Sequence, residues 1–315
     1  MTDLEVRKLR FGFAGAAVPF LWNKDNPTFS AAANALSFLF LAVEKMIGAA
    51  VHEAMPLIVD PAVAEEAQAF VRQEGQHSMA HRQHAKGLIK SHPALQETLD
   101  AVIAMFDDLT ANTSLTYRLA YIADLEATFT PTFSMILDNA DTLFAPGDDR
   151  VASLFLWHFV EEMEHRSSAL TIYNAVVGDW WYRLRVASSV FRHAGSAIVT
   201  AATGFNQHVP LDVRKVDASS MFTGPGWRRT LAAKLPYLRR FLPAHAADDE
   251  PFGKIWAGVP LRDRLATSYG VIRSQMPDQN PADHDLPGLA REWLARYDAG
   301  YDVTRWYTAA TSKPA

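Results

Sequence analysis

The sequence predicts an all-α protein: a four-helix bundle core with additional helices at its C-terminal end. Three observations lead there. From Thr28 to Gly178, apolar residues recur at helical spacing and never alternate with a period of two. Proline and glycine interrupt that stretch at few points, which leaves four long segments. Each long segment carries a glutamate within or just after apolar residues, and two of the four carry Glu-x-x-His, the arrangement of a dimetal carboxylate bundle.

The first long helix should start at Pro27-Thr28 and end near Pro56. Asp60-Pro61 reads as an N-cap with proline in the first helical position. The second long helix should run to about Lys90, where Ser91-His92-Pro93 stops it. A shorter helix is expected from Ala94 to Leu109. The third long helix should span Asn112 to Leu143, kinked one turn before Pro131. Ala145-Pro146-Gly147-Asp148-Asp149 is a turn and cap, and the fourth helix should run from Arg150 to Val177, ending at Gly178. Beyond it the pattern weakens. Helices are expected over Trp180 to Ala202, Trp227 to Leu242, Leu261 to Arg273 and Leu289 to Tyr307, with a polar loop from Pro277 to Pro287. Residues 1–180 thus form the bundle, and 181–315 a helical extension packed on or covering it.

Composition narrows the chemistry. The chain has 315 residues and no cysteine, so any protein-held metal must use His, Asp, Glu or carbonyl oxygen, donors suited to iron, manganese or zinc. The net charge of −5, without a basic block at either end, argues against a nucleic-acid partner. The first ten residues are polar and lack the apolar core of a signal peptide, so a cytoplasmic protein is expected. Ala31 to Val51 is long and apolar enough to span a membrane. Glu44 and Lys45 lie within it, and it reads instead as a buried helix whose glutamate has a task.

That task is metal ligation. In chain order the long helices carry Glu44, then Glu74-Gly75-Gln76-His77, then Glu126, then Glu162-Met163-Glu164-His165. Residues three apart on a helix share a face, so each Glu-x-x-His can aim both groups at one point. Four buried carboxylates need cations, and two metals bound by Glu44, Glu74, His77, Glu126, Glu162 and His165 supply them. Residues 70–77 align with 158–165, which pairs Glu74 with Glu162 and His77 with His165. Glu161, four before His165, is the competing choice; the alignment favours Glu162, which leaves Glu161 as a candidate additional ligand or partner of a ligand, and otherwise it and Glu164 are solvated surface residues. The bland alternative makes both motifs surface ion pairs. His81 and His158 fall on the same faces and can be third imidazoles or partners of ligands. His52 and His84 are set aside. Tyr117, Tyr121, Thr130 and Tyr173 are read as packing, as are Met46, Met79, Met135 and Met163.

Asn34-Ala35-Leu36-Ser37 up to Glu44, then Asp60-Pro61, and above all Gln73-Glu74-Gly75-Gln76-His77-Ser78-Met79-Ala80-His81-Arg82 resemble the bacterial family of predicted metal-dependent hydrolases. The resemblance covers roughly the first 180 residues well. It implies a ferritin-like fold and brings forward Glu44, Glu74, His77, His81, Glu126, Glu162 and His165. Three functions follow. The first is a di-iron enzyme that activates O2 to oxidise an apolar or lipid-like small molecule. The second is a hydrolase in which metal-activated water attacks an ester, amide or phosphoryl group. The third is a non-enzymatic iron-binding bundle. The carboxylate-rich shell favours iron, with manganese or zinc as alternatives. Basic, aromatic Trp227 to Leu242, with Trp180-Trp181-Tyr182-Arg183, admits a peripheral membrane contact; a lid over the bundle is the plainer reading. A homodimer is also admitted.

Overall fold

A computed structural model describes residues 4–221 and 253–309. The basic stretch from Trp227 to Leu242 lies outside them. Helices α1 (Pro27–Ala54), α2 (Pro61–Ser91), α3 (Leu95–Asn112) and α4 (Leu115–Asp138) come first, followed by short α5 (Ala140–Leu143). Then follow α6 (Asp149–Glu164), α7 (Ser168–Val176), α8 (Trp180–His208) and short α9 (Leu211–Arg214). The chain then forms α10 (Leu261–Arg273), α11 (Gly288–Asp298) and short α12 (Trp306–Ala309). The described residues contain no β-sheet; Asn23 and Gly147 form one isolated bridge.

The helix starts follow from their caps. Asn26 accepts from Phe29 N at 3.0 Å, Asp60 from Ala62 N at 2.8 Å and Ser114 from Tyr117 N at 3.2 Å. Asp148 accepts from Arg150 N and Asp179 from Tyr182 N, each at 3.0 Å. Each cap satisfies an amide that would otherwise lack a partner, and stabilises its helix by about 1 kcal/mol.

Helix α1 lies at the centre, packed on α2, α3, α4 and α8. Helix α4 packs on α6, α7, α8 and α10. Although α1 is long and apolar enough to cross a membrane, 72% of its most apolar window is buried inside the fold. The segment before α1 also enters the core, through Phe11, Phe13, Val18, Phe20 and Trp22. It runs so close to α2 that a Cβ on Gly87 would collide with Val18. The same core takes in Trp293 of α11 and Trp306 of α12.

Several expected boundaries are corrected. The fourth long helix is not continuous to Val177: it ends at Glu164, and α7 restarts at Ser168. At this break Arg166 turns outward and donates to the carbonyls of Pro281 and His284 at 2.9 and 2.8 Å. The third helix passes through Pro131 and ends at Asp138, where Asn139 caps it. The helix expected to reach Tyr307 stops at Asp298, and Gly300 with φ 80° turns the chain.

Candidate metal centre

Four helices deliver the acidic and imidazole side chains. Between Phe38 and Met46 of α1 every residue except Lys45 is buried, so Glu44 points into packed protein. Helix α2 buries Gln73, Glu74, His77, His81 and His84, a stripe at three- and four-residue spacing. Its other face exposes Gly75, Met79 and Arg82. Helix α4 contributes Glu126. Helix α6 is buried from Val151 to Met163 and contributes His158, Glu161 and Glu162. His165 sits immediately after α6, at its C-cap, and still reaches the same place.

The inward atoms form two clusters. Glu44, His77 and His158 each offer one ligand atom, all within 4.8 Å of one another, and Glu74, Glu162 and His165 do the same. The clusters touch. His77 Nδ1 is 3.9 Å from Glu74 and 3.7 Å from Glu162. His158 Nε2 is 2.9 Å from Glu162 and 3.9 Å from Glu44. His165 Nε2 is 3.2 Å from Glu74 and 3.3 Å from Glu162, distances of charge contact without hydrogen-bond alignment. Glu126 joins neither cluster but faces Glu162 and Glu74.

Inward and outward atoms differ in one respect. Both Glu44 oxygens, Glu74 Oε1, Glu162 Oε2, His77 Nδ1 and His165 Nε2 are buried with no aligned hydrogen-bond partner. The outward imidazole nitrogens are all engaged. His77 Nε2 bonds Glu161 at 2.9 Å, and His165 Nδ1 donates to Gln73 Oε1 at 3.0 Å. His158 Nδ1 shares a proton with His81 Nε2 at 2.6 Å. Behind these stand further supports. Glu161 accepts from Arg7 at 3.1 Å, and Gln73 donates to the Glu5 carbonyl at 2.9 Å. Ser37 Oγ lies 2.8 Å from Nδ1 of both His81 and His84, so it donates to one and accepts from the other. A buried polar group left unpaired is costly, and six in one place call for an added partner. His77 and His165, anchored at the far nitrogen while the near one stays open, have the form of metal ligands with their supporting partners, whereas His158 Nε2 bonds Glu162 Oε1 at 2.9 Å.

The electrostatics agree. Burial, then repulsion from Glu74, Glu162 and Glu126, pushes the Glu44 carboxyl well above its usual range. Burial and the charges of Glu162 and Glu74 do the same to Glu126. Against burial, His165 and His158 hold Glu162 well below that range. Against burial and the charge of Glu162, the facing His165 and His77 lower Glu74 too. Burial opposes a charge on His77, yet Glu161 and Glu74 raise it to about 9; against burial, Glu162 and Glu74 raise His165 well above its usual value. Burial together with His77 drops His158 to about 4, and burial lowers His84 to about 3. Without metal, these directions favour charge on His77 and His165 beside Glu74 and Glu162, and disfavour it on Glu44 and Glu126. Two divalent cations would match all four carboxylates with every imidazole neutral, and oxygen and nitrogen donors fit iron, manganese or zinc.

The structure thus gathers Glu44, Glu74, His77, Glu162 and His165 with Glu126 beside them, and adds His158 at the centre itself. His81 stands one residue behind His158. Glu161 is fully buried and bonds both His77 and Arg7. Two expectations are corrected. Glu164 is not a solvated surface residue, since it pairs with Arg7. His84, set aside from the sequence, is fully buried on Ser37. Ser37 was legible: it precedes Glu44 by seven residues, two turns along one face. Arg7, 154 positions from Glu161, carried no such signal. Three hydroxyls read as packing bond elsewhere: Tyr117 to Ser189, Tyr121 to His193 and Tyr173 to the Asp179 carbonyl.

No curated protein and no solved structure matches this chain. The family model described as "Predicted metal-dependent hydrolase" matches residues 5–245, and the chain belongs to that family.

Proposed function

We propose that the centre holds two divalent metal ions and that the protein hydrolyses an ester, amide or phosphoryl bond there. One observation carries the reading: six buried ligand atoms face one another unpaired, while each imidazole is anchored at its opposite nitrogen. Glu44, His77 and His158 would hold one ion, and Glu74, Glu162 and His165 the other. Bound cations would supply Lewis acidity and lower the pKa of water. Glu161, Gln73 and His81 fix the tautomer and tilt of the three imidazoles. Glu126, outside both clusters yet facing Glu162, is the carboxylate left to take the proton from the attacking water. Membership in a family described as metal-dependent hydrolases supports this reaction class.

A second reading is oxidation of a small molecule by O2 with iron at the centre. The observation favouring it is the donor set, since four carboxylates blunt the acidity a hydrolytic metal needs. Rings of Phe40, His81 and Trp157 packed against the imidazoles also keep water out. The two readings separate on one preparation. Metal-free protein is reloaded anaerobically with zinc, manganese or ferrous iron, then assayed for ester, amide and phosphoester cleavage and for O2 consumption. Cleavage without O2 supports hydrolysis. O2 consumption by the iron form alone, with no cleavage by any form, replaces it with oxidation.

A further inference from the structure

An apolar cavity of about 350 Å³ lies beside the centre. One wall follows α1 from Phe29 to Leu39 and another follows α4 from Leu125 to Ile136. At helical rise each wall is about 15 Å long, so the space is elongated. Its side chains offer almost nothing to a polar ligand. The hydroxyls of Thr128 and Thr132 line it, but they donate to the Leu125 and Thr128 carbonyls of their own helix. An occupant gains by leaving water and not by forming hydrogen bonds.

The cavity and the centre share a wall one ring thick. Phe159 lines the cavity and lies 6.0 Å from the His158 ring. Phe129 lines it too, and packs at 6.2 Å on Phe40, whose ring is 4.3 Å from His158. Phe155, also in the lining, packs at 5.2 Å on His81. Whatever fills the cavity therefore ends against the residues that carry and support the ligands.

We propose that this cavity seats a hydrocarbon chain, the acyl or alkyl tail of a lipid-like molecule, held one ring away from the centre. The proposal rests on the cavity and not on the dimetal reading above. The lining, whose hydroxyls bond within their own helix, selects hydrocarbon over a peptide or sugar. Gly195 of α8 sets the width on the remaining side. It lines the cavity, and a Cβ built on it would meet nothing within 4 Å. A larger residue at 195 is therefore carried without a clash, in a helix where glycine is the weaker choice.

The test uses the full chain freed of metal, titrated calorimetrically with straight-chain saturated carboxylates of increasing length below their micelle concentrations. Affinity should rise about fourfold per added methylene until the cavity is full, then level off. Gly195→Phe should level off at a shorter chain and bind the longest carboxylates at least tenfold more weakly. Ala33→Leu, on the α1 wall, provides a second narrowing should the first variant fold poorly. Affinity independent of chain length, or the same plateau in wild type and both variants, overturns the proposal. Because no metal is present, failed hydrolysis in the reloaded protein would leave this result standing, and a flat length profile would leave the metal reading standing.

Discussion

Asp124 and Glu126 leave the same turn of α4 and are both buried, yet they meet different company. Asp124 faces α8, where Arg183 Nε lies 3.6 Å from its carboxylate. Burial raises Asp124 to about 7 and Arg183 limits the rise. Glu126 faces Glu162 and Glu74, and the imidazole of His165 opposes their charge. The difference separates two uses of a buried acid. A permanent cation built into the fold makes a structural pair. Three carboxylate neighbours, opposed only by imidazoles that can lose their protons, make a place for cations that come and go.

The sharpest way to break this comparison is to remove one acid from each side. Glu162 belongs to one cluster and touches His77 and His158 of the other. Glu162→Ala should lower metal content from two ions per chain to near zero by elemental analysis. Asp124→Asn should leave it at two. A variant of Glu162 that retains both ions would place them elsewhere.

Arg183→Met tests the structural side. It strands Asp124 in the interior and should cost about 3 kcal/mol by urea unfolding at pH 8, without changing metal content. The loss should shrink at pH 6, where Asp124 takes up a proton.

The third effect is a loss of stability with rising pH. His77 and His165 are raised above their unfolded values, so in metal-free protein their contribution is complete below about pH 6.5. It is lost as pH rises through about 9 for His77. Glu44 and Glu126, also raised, act in the same direction. Stability of metal-free protein to thermal unfolding should therefore fall from about pH 6.5 to about 9. The gain on adding metal should grow over the same range, because ligation releases those protons. Parallel curves with and without metal would break the link between these groups and the ions.

The smallest expected change comes from the N-terminal support. Arg7 bonds Glu161, which holds His77, and its guanidinium lies 5.1 Å from the Tyr297 ring. Arg7→Met should weaken metal binding by about tenfold in chelator competition while both ions still bind at saturation. Ser37→Ala, behind His81, should act similarly.

Much of this was legible in the sequence because local rules govern it. The caps at Asp60, Asp148 and the breaker at Gly178 set helix ends, and the two Glu-x-x-His motifs put their side chains on one face whatever surrounds them. What stayed hidden depends on distant chain. Nothing near Glu161 says that Arg7 crosses to it, so a fully buried acid read as solvated. His84 was set aside because its partner Ser37 lies on another helix. The break after Glu164 was equally unreadable: no proline or glycine marks it, and Arg166 leaves the helix track for carbonyls more than 110 positions away.

The most direct test of the account is to count and locate the ions. Full-length protein, purified without chelator, is measured by elemental analysis and by anomalous diffraction from its crystals. The account predicts two metal ions per chain, one among Glu44, His77 and His158 and the other among Glu74, Glu162 and His165. Crystals grown with saturating iron, manganese and zinc in turn that show no anomalous peak between these side chains would contradict it.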